Sequence, residues 1–345
     1  MKKLQKLTAL VLSMTMMLSL GACGGASASK ESEGTTSDTV NTTGAETPSV
    51  EGEYKVGIIQ MMDHEALNAS REGFIRGLND SGLVEGENLT IDYQNGQGDQ
   101  NNLGTIADQF IADNEDLVFA IATPSAQAVA SKTTEIPIVG TAITSFTDSG
   151  LAESDEAPGG NVTGTTDMNP IGEQLDLMLE LFPETKTIGF LYNSSEDNSI
   201  LQVNMAKEIA EAKGLATVEK TVANTNDVQQ AASAIIGECD AIYIPTDNVL
   251  ASSMPIVNEV AMPAGIPIFA GESNMVLSGA FGTLGITYDG IGYQAGLMAA
   301  DILLNGADPA TMAIQGSTEY TYVFNKEYVD ALGITLPEKY AEFVQ

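Results

Sequence analysis

The sequence predicts an α/β protein of two similar lobes, Rossmann-like in architecture, each built on a parallel sheet, and two observations carry this. First, strand-like and helix-like patterns alternate strictly, and the strand runs are short, apolar and β-branched, as expected for a sheet covered on both faces. Second, the alternation repeats. Asp116–Ala128 and Cys239–Val249 share one grammar: a short apolar run, a break of Pro, Thr, Ser, Asp or Asn, then a helical pattern. The echo extends to Val56-Gly-Ile-Ile-Gln60 with Ile188-Gly-Phe-Leu-Tyr192, and to Ile136-Pro-Ile-Val139 with Ile266-Pro-Ile-Phe269. An offset of roughly 125 to 130 residues is too long for a solenoid unit and fits one domain repeated.

Each element has a local reason. In the first lobe, Lys55–Met61 reads as a strand, and Glu65–Ser81 as a helix with Leu67, Phe74 and Leu78 on one face and Gly73 and Gly77 permitting close packing. Leu89–Tyr93 is the next strand and Gln100–Asn114 the next helix. Leu117–Ile121 is too short and too apolar for anything but a buried strand; Thr123, Pro124 and Ser125 then read as N-cap, first helical residue and first-turn hydroxyl of a helix reaching about Lys132. Pro137–Thr141 closes this series. After a polar connection, Asn161–Thr166 is extended and Ile171–Phe182 helical. The second lobe runs through strand 187–192, helix 196–213, strand 216–222, helix 227–236, strand 241–244, helix 249–262 and strand 266–270. Pro255 interrupts the helix 249–262, which places an alternative start near Ser253.

A glycine-rich strand, Gly279–Ile286, precedes the helix Tyr288–Asn305, for which the repeat offers no partner. A helix left over after two complete lobes implies that the chain returns to the first lobe and recrosses at about Gly316. The expected organisation is therefore 54–164 plus 287–315 for lobe one, and 165–286 plus 316–345 for lobe two.

The first residues read as an address. Lys2, Lys3 and Lys6 precede the apolar run Leu7–Leu20, too short for an ordinary membrane span. The run ends at Leu20-Gly-Ala-Cys23, which resembles the lipobox of bacterial lipoproteins. That resemblance implies a signal peptide over 1–22 and a diacylated Cys23 as mature N-terminus, anchoring the protein to the extracytoplasmic face of the cell membrane. Residues 23–53 are rich in Ser, Thr, Gly and Glu and nearly devoid of apolar side chains, so they are expected to form a disordered tether with an r.m.s. reach of roughly 30 Å.

Composition narrows the function. The chain carries 47 acidic and 14 basic residues, a net charge of −33, and removal of the signal would take this to about −36. A surface so acidic repels nucleic acid and anionic lipid. His64 is the only histidine and, beyond Cys23, Cys239 the only cysteine, so neither a zinc cluster nor an intramolecular disulfide of the mature chain is expected. Gly98-Asp-Gln100 is no Walker loop and no Gly-x-Gly-x-x-Gly follows the first strand, so no nucleotide cofactor is expected. Catalysis would want a nucleophile with a base, a metal cluster or paired carboxylates, and none stands out; a binding protein, not an enzyme, is the better reading.

The strand ends nominate the site. First-turn N–H groups of a helix opening at a strand's carboxyl end carry partial positive charge and form a seat for a carboxylate or phosphate, here flanked by Thr123 and Ser125. Capping alone also explains both residues. Asp247 is the leading acid for a ligand ammonium, or a cap of its own helix. Asn193 and Asn248 can donate and accept at the opposite wall, while Gln60, His64, Thr144 and Glu272 stand at or just after strand ends. Tyr192, Phe146 and Tyr288 read more readily as core or rim than as a stacking platform. Arg71 and Arg76, the only arginines, lie inside the first helix, so a bidentate clamp on a carboxylate is not expected.

Several stretches in matching order carry a family resemblance: Val56–Gln60 with His64, Gly73-Phe74, Glu87–Asn95, Gly98–Gln100, Ala122–Gln127, Leu191–Asn193, Ile244–Asn248 and Thr283–Ile286 before Tyr288. Over roughly 55–335 the chain resembles bacterial ABC-transporter substrate-binding lipoproteins of the tryptophan- and tyrosine-type family. The resemblance implies the type I periplasmic-binding-protein fold, with three hinge crossovers, closing on a small ligand. It also implies a monomer that delivers an amino acid, aromatic or other, to permease and ATPase subunits. A nucleoside or other small solute, or an extracytoplasmic sensing role, stays open. Phe269-Ala-Gly-Glu272, Thr144-Ser-Phe-Thr147 and Pro255 depart from the family pattern and leave ligand identity unassigned.

Overall fold

Buried strands set the frame. The computed structural model describes residues 52–317 and 319–345; the expected signal segment, Cys23 and nearly all of the tether lie outside them. In chain order the first lobe forms β1 (Tyr54–Gln60), α1 (Glu65–Asp80), β2 (Leu89–Asn95), α2 (Gln100–Ala112), β3 (Leu117–Ile121), α3 (Thr123–Ala130), β4 (Ile138–Ile143) and β5 (Val162–Thr166). All five residues of β3 and all six of β4 are buried, which is why their sequences show no polar alternation. The second lobe follows with α4 (Ile171–Leu181), β6 (Thr187–Asn193), α5 (Asp197–Ala212), β7 (Ala216–Val222), α6 (Val228–Ile235) and β8 (Ala241–Ile244). It continues with α7 (Asn248–Ser252), α8 (Met254–Ala261), β9 (Ile268–Ala270), α9 (Ser273–Leu277) and β10 (Gly282–Gly285). Then come α10 (Tyr288–Asn305), β11 (Gln315–Gly316), β12 (Thr321–Phe324) and α11 (Lys326–Leu332).

Two six-stranded sheets result, ordered β11-β5-β4-β3-β1-β2 and β12-β10-β9-β8-β6-β7. Every pairing is parallel except β10 with β12, which is antiparallel. In both sheets the first strand lies between the second and third, so the strand order reverses there, and a crevice opens at the carboxyl ends. The chain passes between sheets three times: after β5, after β10 and after β11. The first passage falls beyond Thr166, two residues later than the sequence pattern places it, because β5 keeps pairing with β4 and β11 to that point.

The unpaired helix of the repeat finds its partner in lobe one. α10 packs along α1, where Gly73 and Gly77 face Gly292 and Gly296. A Cβ on Gly73 would fall inside the van der Waals shell of the Asp289 carbonyl, and one on Gly292 inside that of Ser70, so the helices meet backbone to backbone. Each lobe keeps its own core. Phe74 stacks on Phe119 at 3.6 Å in the first, and Phe281 packs edge-on against Phe182, Phe324 and Tyr328 in the second.

Three local expectations need correction. The helix expected over 249–262 is two helices, broken at Ser253, with Pro255 in the first turn of the second, where a missing N–H costs nothing. The five-residue helix α9 had no signal beyond its cap, Glu272. Thr123 is the first helical residue and Ala122 holds the cap position, so the Thr123 hydroxyl makes no capping bond.

Candidate functional site

The crevice is shut. His64, Ala66, Leu67 and Ala142 of lobe one face Asn198, Thr246, Asp247, Asn248, Ala251, Glu272 and Met275 of lobe two, with Asp167 and Tyr288 from the crossing segments. Together they enclose a cavity of only about 10 Å³. An amino-acid-sized ligand therefore reaches this site only when the lobes part.

Polar groups stitch the walls together. On lobe two, Asp247 caps α7 through Leu250 N–H (2.9 Å), and its other oxygen accepts from Asn193 N–H (2.5 Å) and the Ser199 hydroxyl (2.8 Å). Glu196 accepts from the side chains of Asn248 (2.6 Å) and Asn193 (3.0 Å). Glu272 caps α9 through the N–H groups of Asn274 (2.6 Å) and Met275 (2.7 Å). Across the crevice, His64 Nε2 meets Asn248 Oδ1 at 3.2 Å, and Gln202 Nε2 donates to the Thr144 hydroxyl at 2.9 Å. Gln202 also donates to the Thr246 hydroxyl and accepts from Thr246 N–H. At the rim Gln127 donates to Asp197 (2.9 Å) and Gln100 to the Ser195 carbonyl (3.2 Å). Asp167 joins the walls from the hinge, accepting from Thr144 (3.2 Å) and the Tyr288 hydroxyl (2.7 Å).

Burial dominates the electrostatics. It pushes Glu272 up to about 7 against the pull of its two capping N–H groups. Asp247 is raised by burial and by the neighbouring Glu196, and Asp167 is raised by burial against its bonds from Tyr288 and Thr144. Burial lowers His64 to about 4, so the imidazole is neutral and cannot serve as a counter-ion. Among the described residues, no group of three or more His, Cys, Asp or Glu side chains is placed to hold a metal ion.

The mouth of α3 is strained and unsatisfied. Ala122 has φ 83° and ψ 150°, and Ala142 in the adjoining strand has φ 55°. Such conformations cost an alanine about 1–3 kcal/mol each and persist where surrounding structure imposes them, commonly at binding sites. The hydroxyls of Thr123 and Ser125 are buried and have no hydrogen-bond partner among the described residues; nor has Asn198 Oδ1, on the cavity wall. Buried polar atoms are nearly always paired, so each of these orphans has room for a partner from outside the protein; of the five among the described residues only Asn198 Oδ1 is on the cavity wall, and Glu115 Oε2 and Asn258 Oδ1 lie away from it.

Of the residues nominated from sequence, His64, Asp247, Asn248 and Glu272 line the cavity. Thr144 and Asn193 stand one hydrogen bond behind it, on Asp167 and Asp247. Thr123 and Ser125 open α3 outside the cavity wall. Gln60 turns away: its amide donates to the Met62 carbonyl and Asn68 and accepts from Arg71 at 2.7 Å, within lobe one. The inward-facing positions at the end of β1 belong instead to the loop carrying His64. Tyr192 bonds Glu219 outside the site, Phe146 is core, and Tyr288 reaches the cavity through its hydroxyl. Sequence reasoning missed Asp167, Glu196, Asn198, Gln202 and Thr246. One signal was available for two of them: Asn198 and Gln202 share a helical face with the buried Val203, Ala206 and Ala210, a polar start to an apolar stripe.

Comparison with known proteins agrees with this architecture. The family described as ABC transporter substrate binding protein matches residues 55–343. A tyrosine-binding protein of Clostridioides difficile is 38% identical over 331 residues, covering 96% of this chain and 92% of that protein. The structure of an ABC domain from Streptococcus pneumonia in complex with L-Trp is 35% identical, with a TM-score of 0.82 over 85% of this chain and all of that one (100%). A ligand-free, open substrate-binding protein with adhesive properties from Clostridium difficile is more similar in sequence, at 42%, over 85% of this chain and 98% of that one. Its TM-score is only 0.66, the pattern expected when the lobes here stand closed and those stand open. The two lobes have the type I periplasmic-binding-protein fold, and the chain belongs to the ABC transporter substrate-binding protein family.

Proposed function

We propose that this chain is an extracytoplasmic lipoprotein that captures an amino acid, most favourably an aromatic one, between its lobes and delivers it to the permease of an ABC importer. The carrying observation is the complementary chemistry of the two walls. Lobe one offers, beyond the present cavity lining, the N-terminus of α3 with two buried, unpartnered hydroxyls, Thr123 and Ser125, suited to a carboxylate. Lobe two offers Asp247, Glu272 and the orphan Asn198 carbonyl, suited to an ammonium group. Between them Leu67, Ala142, Ala251, Met275 and Tyr288 supply a lining against which an aromatic side chain packs. Ligands named for two relatives, tyrosine and L-Trp, have this combination of charges and ring. Binding a zwitterion across the crevice draws the lobes together and shifts the hinge equilibrium toward the closed form that a permease would recognise.

The membrane anchor rests on the sequence pattern Leu20-Gly-Ala-Cys23 alone. Calorimetric titration of refolded, ligand-free protein against amino acids, nucleosides and sugars tests the reading: saturable binding of an aromatic amino acid is expected, and binding of a sugar or nucleoside in its place would overturn the ligand assignment. Fatty-acid labelling in cells, lost in Cys23→Ala, tests the anchor.

A further inference from the structure

The interlobe cavity has an excess of buried acid, answered only by neutral donors such as the capping N–H groups on Asp247 and Glu272. Asp167, Asp247 and Glu272 line it, Glu196 lies directly behind Asn248, and all four are at most 3% exposed. Among the described residues no lysine or arginine lines the cavity or bonds any of these carboxyls. A second, independent feature points the same way. The Asn198 amide nitrogen donates to the Thr246 carbonyl at 2.9 Å and faces Glu196 and Ser199, which fixes its orientation and leaves Oδ1 as a buried acceptor without a donor. The chemistry missing from the wall is a positively charged N–H donor.

We propose that the site takes ligands bearing a positively charged nitrogen and that this charge licenses closure of the lobes, with protons on the same carboxyls substituting for it when no ligand is present. The inference deepens the amino-acid reading above by naming which part of the ligand closes the hinge. With the lobes parted, the carboxyls meet water and ionise at little cost. Closure strips that water, and carboxylates so buried need a cation, a proton or continued solvent. A neutral sugar or nucleoside supplies none of these. An empty chain at alkaline pH is therefore held open, and a permease is spared unladen closed protein.

The groups at the site contribute to the pH dependence with opposite signs, and the carboxyls outnumber the histidine. Burial raises Glu272, Asp247 and Asp167 in the closed arrangement, so closing without ligand takes up protons and is favoured as pH falls through 7 toward the ordinary carboxylate range. His64, with Asp63 beside it and Asn248 facing it, works the other way: lowered to about 4 when closed, it gains a proton in the open form below its ordinary value near 6.5, which opposes closure. Tyr288, raised well above its ordinary value, stays protonated throughout and keeps donating to Asp167.

The test reads the distance between labels at Gln109→Cys on α2 and Glu208→Cys on α5, both exposed, in the full chain carrying Cys23→Ser; Cys239 is buried. Without ligand, the long distance should dominate at pH 8. The closed-to-open ratio should rise by up to about tenfold per pH unit for each net proton taken up on closing, and less steeply below about 6.5, where His64 gives back one proton against those the carboxyls gain. L-Tyrosine should close the chain at pH 8, and its des-amino analogue, 3-(4-hydroxyphenyl)propionate, should not. Asp247→Asn and Glu272→Gln, which keep a side-chain acceptor for their helix caps, should each raise the ligand-free closed population at pH 8. Ligand-free distances identical at pH 8 and 6.5, or full closure by the des-amino compound at pH 8, would overturn the inference. If neither compound closes the chain while pH and both variants act as stated, charge-licensed closure stands and the aromatic amino-acid reading falls.

Discussion

Ser125 and Ser199 are both fully buried serines, and replacing each by alanine should move stability in opposite directions. The Ser199 hydroxyl donates to Asp247 at 2.8 Å, whereas the Ser125 hydroxyl has no partner among the described residues. A buried hydroxyl left unpaired costs about 1–3 kcal/mol. Ser125→Ala removes that cost, loses little packing and puts a better helix former in the first turn of α3, so ligand-free protein should gain about 1 kcal/mol, or about 2 °C in Tm for a chain of this size. Ser199→Ala withdraws a donor from a buried carboxyl and should lose about 1–2 kcal/mol. Affinity should reverse the benefit. If the Ser125 hydroxyl waits for the ligand carboxylate, its charge-assisted bond is worth about 1.5–3 kcal/mol, and Ser125→Ala should weaken aromatic amino-acid binding by roughly 10- to 150-fold. Thermal denaturation of refolded protein with calorimetric titration reads both quantities. A Ser125→Ala protein that is less stable without ligand, or that binds as tightly as wild type, would refute the reasoning.

Two further outcomes follow from the same geometry. Gln202→Ala removes the donor that joins Thr144 to Thr246 across the crevice and leaves Thr246 N–H without its acceptor; stability should fall by about 2 kcal/mol and the ligand Kd should rise about tenfold, read by the same two assays. Glu115 is raised to about 7, first by burial and then by Asp92, with one oxygen unpartnered. Its folded form prefers the proton, so this contribution is present below the ordinary carboxylate value and lost as pH rises to about 7; Glu115→Gln should add about 1–2 kcal/mol at pH 8 and nothing near pH 4, and an equal gain at both would contradict the titration argument.

What could be read from the chain itself was whatever local sequence physics sets. Leu117–Ile121 can only be a buried strand, Tyr288–Asn305 is a helix over the same residues by pattern and by structure, and the repeat of one α/β unit is visible because each copy must bury its own sheet. The return of the chain to the first lobe was legible, since a helix without a partner in the repeat has to pack there. Glu272 was placed at a strand end, yet the short helix it caps was not seen, because five residues carry too little periodicity to register.

The content of the crevice was decided by tertiary structure. Gln60 and His64 stand four residues apart at the end of one strand, and only packing against Arg71 and Asn68 turns the first inward to lobe one while the second crosses to Asn248. Glu196, Asn198 and Gln202 look like ordinary helix-start residues until lobe one closes over them; Asp167 looks like a turn until Tyr288, 121 positions later, bonds it. Hydrophobic periodicity and turn chemistry act over a few residues and are written locally. Which polar side chains lose their water depends on where two lobes meet, and that is a sum over contacts between segments more than a hundred residues apart.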